Sequence, residues 1–103
     1  MDRKHTADQV TEQICREFGL STEKAKFIHG EEIVLPVPKV LLVTVCSYIR
    51  THLQGILTTM VGNDEREVVG KFALYYTFSL DQLRLFLTVR TEVEPGVHRC
   101  QAR

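Results

Sequence analysis

Residues 71–93 read KFALYYTFSLDQLRLFLTVRTEV, and their alternation decides the fold. In the first half, Phe72, Leu74, Tyr76 and Phe78 alternate with Lys71, Ala73, Tyr75, Thr77 and Ser79. In the second, Leu85, Leu87, Val89 and Thr91 alternate with Arg84, Phe86, Thr88 and Arg90. A period of two over that length, rich in β-branched and aromatic residues, makes two half-buried strands. Leu80, Asp81, Gln82 and Leu83 lie between them, enough for a tight reversal. One face of this hairpin is wholly apolar and must be covered by another layer. A hairpin by itself names no chemistry.

Working outward, 56–61 reads as a further strand, and Gly62, Asn63, Asp64, Glu65, Arg66 and Glu67 as a charged turn leading into the hairpin. The cover comes from upstream. Leu42, Cys46, Ile49 and Leu53 recur at helical spacing beside a second row of Leu41, Val45, Tyr48 and His52. Together they make a broad apolar stripe able to lie across a sheet. Pro38 suits the first position of that helix, and Gln54-Gly55 its end. Thr6 or Asp8 is placed to cap an earlier helix that buries Val10, Ile14 and Phe18 and closes at Gly19. Residues 26–28 and 32–35 read as short strands around His29, Gly30 and Glu31. The order helix, two strands, helix, three strands predicts an α+β domain, a mostly antiparallel sheet with both helices on one face. The expected core is Leu42, Ile49, Leu53, Phe72, Leu74, Tyr76, Phe78, Leu85, Leu87 and Val89. Residues 94–103 have no periodicity and are expected to form a loose tail.

The chain has 103 residues, which is one domain, with 44% hydrophobic and 25% charged residues, values ordinary for a globular protein. Thirteen basic and thirteen acidic residues cancel, so no global field recruits nucleic acid or an anionic membrane. No apolar run is long enough for a spanning helix, and the amino terminus lacks the apolar segment of a secretory signal. Three widely spaced cysteines, Cys15, Cys46 and Cys100, fit reduced thiols in a cytoplasmic protein better than a disulfide framework.

Chemical sites are hard to place. His98 with Cys100, and Cys46 with His52, offer paired ligand types, but a structural zinc site needs four ligands in clusters and there is no Cys-x-x-Cys. No nucleophile turn accompanies the cysteines, and the glycines form no phosphate cradle. We therefore expect no catalytic residue, no metal and no cofactor.

The run ILTTMVGNDERE, then GKFALYYTFSLD and LRLFLTVRTEVEP, resembles the thirty-kilodalton subunit family of respiratory complex I, the NADH-quinone oxidoreductase (NADH dehydrogenase) of electron transport. Within it, the pattern is most similar to the amino-terminal domain of the large subunits of complex-I-related group 4 membrane-bound hydrogenases. The resemblance covers about residues 31–95. It implies a non-catalytic structural part of the soluble arm of such an assembly, packed against the large catalytic subunit, cytoplasmic and peripheral to the inner membrane through its partners. NADH, quinone and nickel–iron chemistry would belong to those partners. One departure stands out. The family continues with a Trp/Tyr-x-Glu-Arg-Glu stretch and an Asp-x-Phe-Gly turn, whereas Val97, His98, Arg99, Cys100, Gln101, Ala102 and Arg103 follow here, and the chain has no tryptophan. The contact surface of that segment is therefore not expected. A free-standing interaction or regulatory module that kept the fold without the complex is the alternative.

Docking residues follow from the more polar side of the hairpin. Tyr75, Phe86 and Arg90 combine aromatics with arginine as interface anchors do, and Asp64, Glu65 and Arg66 at the turn are suited to set orientation. Two other readings stay open: a second small core under the first helix for the aromatics, and a solvated hairpin tip for the charges. A homodimer is the option left to an isolated copy.

Overall fold

A computed structural model describes residues 3–65 and 70–93. The elements run α1 (Arg3–Phe18), β1 (Lys26–Ile28), β2 (Glu32–Pro36), α2 (Leu42–His52), β3 (Ile56–Glu65), β4 (Lys71–Leu80) and β5 (Leu85–Val93). The five strands form one sheet in the order β1-β2-β5-β4-β3. All pairings are antiparallel except β2 with β5, which is parallel. This is the expected α+β architecture.

The hairpin forms because its alternation is matched across the ladder. Tyr76 pairs with Val89, Phe78 with Leu87 and Leu80 with Leu85, so the apolar residues of both strands share one side. Ile33 and Leu35 of β2 continue it, paired with Leu87 and Val89. Both helices pack on that side. Ala7, Val10, Ile14 and Cys15 of α1, with Val45 and Ile49 of α2, join Phe78, Leu80, Leu85, Leu87 and Val89 in one core. The tertiary contact falls mainly between α1 and β2 and between α2 and β5, and neither helix roofs β3 to the same degree.

Several local expectations are corrected. The first helix begins by Arg3, and Asp8 lies within it as an ion-pair partner of Lys4 at 3.3 Å rather than as a cap. Its end is as expected: Gly19 takes φ 70° and Leu20 N–H donates to the Cys15 carbonyl at 2.9 Å. Pro38 precedes a short 3-10 turn, Lys39–Leu41, so α2 starts at Leu42. At its far end Gln54, not Gly55, is left-handed, with φ 56°. Gly55 is required for another reason: a Cβ there would stand 2.7 Å from Ile49 Cγ2. Strand β3 runs on through Asp64 and Glu65, where a turn was expected, because the pairing with β4 continues to Phe72 and Lys71.

Of the expected core, Ile49, Phe78, Leu85, Leu87 and Val89 are buried. Leu42, Leu53, Phe72, Leu74 and Tyr76 are half-buried, since they lie on the rim of the helix layer or beyond it. Ile33, Leu35, Val37 and Leu80 are buried as well and were not anticipated, whereas Val45, Val10 and Ile14 come from the predicted helical rows. No helix among the described residues is long and apolar enough to cross a membrane.

Candidate protein-docking surface

Among the described residues no helix or strand covers the side of the sheet away from α1 and α2, and the register sets its residues out in rows. One row runs Pro36, Arg90, Tyr75, Val61; the next Val34, Thr88, Thr77, Thr59; the third Glu32, Phe86, Ser79, Ile56. These positions alternate with the buried Ile33, Leu35, Leu87, Val89 and Phe78, which places them opposite the core. Helix α1 packs on the other side, so the aromatics here are not a second core beneath it.

Polar side chains on this face hydrogen-bond one another across strands. Arg90 Nε donates to the Tyr75 hydroxyl at 3.1 Å, and its guanidinium carbon sits 5.7 Å from the centre of the Tyr75 ring. The same guanidinium reaches Glu92 Oε2 at 2.8 Å, and the Arg90 side chain is only 19% exposed. Tyr75 is thus held in a fixed orientation by Arg90, which presents little charge of its own. In the next row Thr88 Oγ1 donates to Glu32 Oε2 at 2.6 Å and lies 2.9 Å from Thr77 Oγ1.

What this leaves available is apolar. Ile56, Val61 and Phe86 are 56%, 47% and 39% exposed. Tyr75 and Arg90 are therefore brought together, whereas Phe86 lies two rows away along β5, about 13 Å at strand rise. Phe86 pairs instead with Ser79 and, through it, lies in the row of Ile56. Ile56 and Val61 were not among the expected site residues. The parity of β3 could not be read because a register shift between Leu57 and Thr59 breaks its alternation. Asp64 and Glu65 lie at the end of β3, in backbone register with Phe72 and Lys71. Arg66 lies outside the described residues.

A shallow groove of about 720 Å³ adjoins the Arg90 row. Lys24, Lys26 and Lys39 line it beside Arg90, with Glu23 and Glu92 as the acidic members, so its charge is net basic.

Elsewhere, the one described pair considered for chemistry is not assembled. Cys46 and His52 are six residues apart on α2, about 240° around its axis. His52 instead stacks on Tyr48, ring centres 4.4 Å apart, with Thr51 Oγ1 3.0 Å from its Nδ1. Burial pushes the thiols of Cys15 and Cys46 above the ordinary cysteine range, which keeps both protonated and poorly nucleophilic. Among the described residues no group of three or more His, Cys, Asp or Glu is placed to hold a metal ion. His98 and Cys100 lie outside the described residues.

No protein-family model matches the chain, and no curated protein does either.

Proposed function

We propose that this chain is a non-catalytic docking domain that binds a larger protein through the open face of its sheet. The observation that carries the reading is the composition of that face. Arg90, Tyr75 and Glu92, and Thr77, Thr88 and Glu32, are engaged with one another, while Val61 is exposed beside the oriented Tyr75 and Ile56 and Phe86 are exposed two rows away. Removing such apolar area from water drives association, and a fixed aromatic loses little freedom on binding. The basic groove at the Arg90 edge favours a partner that is apolar opposite Phe86 and acidic opposite Lys24, Lys26 and Lys39.

The resemblance of its strands to the complex I thirty-kilodalton family names the assembly. The partner is the large catalytic subunit of a complex-I-like NADH-quinone oxidoreductase or related membrane-bound hydrogenase. The domain then sits on the cytoplasmic side, peripheral to the inner membrane through its partners, with no cofactor of its own.

Co-expression of the full chain with that large subunit, followed by pull-down, tests both parts. Phe86→Ala and Tyr75→Ala should each weaken co-purification by at least about tenfold, as loss of an interface anchor does, while circular dichroism stays that of the folded domain. Normal recovery of both variants would move the interface off this face. Failure of the unmodified chain to bind would leave the resemblance without its assembly.

A further inference from the structure

The groove beside Arg90 is lined from three separate places in the chain. Lys24 ends a 3-10 turn, Thr22–Lys24, that leads to Lys26 at the start of β1. Lys39 opens the turn after β2, and Arg90 and Glu92 come from β5. Strand β1 pairs with β2 only as far as Val34. Leu35 and Pro36 therefore have no strand on their outer side among the described residues, and the groove lies at that step.

Its charge is not balanced from within. Arg90 and Glu92 are paired at 2.8 Å and cancel. Among the described residues Lys24, Lys26 and Lys39 make no ion pair, and all three are exposed. Of the lining residues only Glu23 is left to oppose them, so an excess of positive charge remains. Like charges held around one concavity repel one another, and an anion laid between them removes that repulsion.

The lining also restricts which anion fits. Phosphate cradles are built from converging backbone N–H groups. Here Pro36 and Pro38 have none, and Val37 N–H donates to the Arg90 carbonyl at 2.8 Å. Leu20 N–H donates to the Cys15 carbonyl at 2.9 Å, and Glu23 N–H to Ser21 Oγ at 3.2 Å. Recognition falls to ammonium groups on flexible stems at separate places, which suits carboxylates spread along a chain. No aromatic side chain lines the groove for a nucleic-acid base to stack on.

We infer that this groove is a peptide site in its own right, taking an extended acidic segment whose carboxylates reach Lys24, Lys26 and Lys39. The inference rests on the proposed docking only for the owner of that segment, the large subunit. The groove meets the open face at the row of Pro36, Arg90 and Tyr75, so one partner can engage both. Attraction through exposed lysines is weak and screened by salt, which sets the dissociation constant at about 10 µM to 1 mM in low salt.

Fluorescence anisotropy tests it, with the full chain titrated into a labelled peptide of alternating glutamate and serine in low salt. Binding should be saturable, and Lys24→Glu combined with Lys39→Glu should weaken it at least about tenfold, with an unchanged circular dichroism spectrum. Arg50→Glu, exposed on α2 away from the groove, removes the same kind of charge and should leave the affinity within about threefold. Absence of peptide binding would overturn the inference. So would equal weakening by Arg50→Glu, which would reduce the effect to net charge. Displacement of the peptide by inorganic phosphate at matched concentration would also overturn it, making the groove a phosphate site. Binding to phosphatidylserine vesicles but not to the peptide would replace the segment with a lipid surface. A chain that binds the peptide but not the large subunit would uphold the groove and remove its proposed owner. A chain that binds the large subunit but not the peptide would do the reverse.

Discussion

Strand β5 shows one sequence building two unlike surfaces. Leu85, Leu87, Val89, Thr91 and Val93 face the helices and are buried. Phe86, Thr88, Arg90 and Glu92, interleaved with them, face away. The helix side is stabilised by exclusion of water and needs little direction in its contacts. The open side is organised by directed bonds, from Arg90 to Tyr75 and Glu92, from Thr77 to Thr88 and from Thr88 to Glu32. The difference explains how a sheet can expose one face and stay ordered. Its polar groups are engaged with one another, and what remains for a partner is the apolar surface between them.

The largest test of that division is a matched pair of truncations. Leu87 is fully buried, so Leu87→Ala should destabilise the domain by about 2–5 kcal/mol. Its neighbour Phe86 is 39% exposed on the other side, and Phe86→Ala should cost about 1 kcal/mol or less. Leu74→Ala, half-buried past the edge of the helix layer, should fall between them. Urea unfolding of the three variants measures the order, and equal losses at Leu87 and Phe86 would erase the distinction between the faces.

A smaller effect locates the seam between α2 and the sheet. Gly55→Ala puts a methyl 2.7 Å from Ile49 Cγ2 and 3.1 Å from Leu80 Cδ2, both in the core. Overpacking of this kind costs about 1–3 kcal/mol. Gln54→Gly at the preceding residue relieves a left-handed conformation, φ 56°, and should be neutral or stabilising. Opposite signs at adjacent positions, read by thermal denaturation, would separate the packing role of Gly55 from the conformational one of Gln54. A stable Gly55→Ala would show that α2 can lift from the sheet there.

The helix-side surface was far more legible in the sequence than the open one. Alternation through Phe72, Leu74, Tyr76 and Phe78 and through Leu85, Leu87 and Val89 needs only neighbouring residues, so the hairpin and its apolar face could be read directly. The parallel pairing of β2 with β5 could not, because 54 residues separate Glu32 from Phe86, and five-residue β2 carries no mark of its partner. That pairing is what brings Glu32 to Thr88 and completes the polar row between Tyr75 and Phe86. The placement of Tyr75 beside Arg90 follows once the turn is centred on Asp81–Leu83, and this much was legible. The apolar part from β3 was hidden, since Ile56, Leu57, Met60 and Val61 fit either face until the register shift is known. Asp64 and Glu65 looked like a turn because acidic residues next to glycine and asparagine usually form one. Pairing with β4 overrides that preference.

The finest test uses two threonines of β5 that are both buried yet lie on opposite sides. Thr91, on the helix side, is 1% exposed, and its hydroxyl has no hydrogen-bond partner among the described residues. A buried hydroxyl left unpaired loses its hydration without return, and valine has nearly the same shape and a higher strand propensity. Thr91→Val should therefore stabilise the domain by about 1 kcal/mol, a rise of about 4–8 °C in melting temperature for a domain of this size. Thr88, 3% exposed on the open side, makes two side-chain bonds, one of them to the Glu32 carboxylate at 2.6 Å. Thr88→Val removes both and strands a half-buried carboxylate, so it should destabilise by about 1–2 kcal/mol. The same substitution three residues along one strand is thus expected to change sign. Differential scanning calorimetry of the two variants decides it. A loss at Thr91 would mean that its hydroxyl has a partner in the folded protein. A gain at Thr88 would mean that the polar row does not hold the open face.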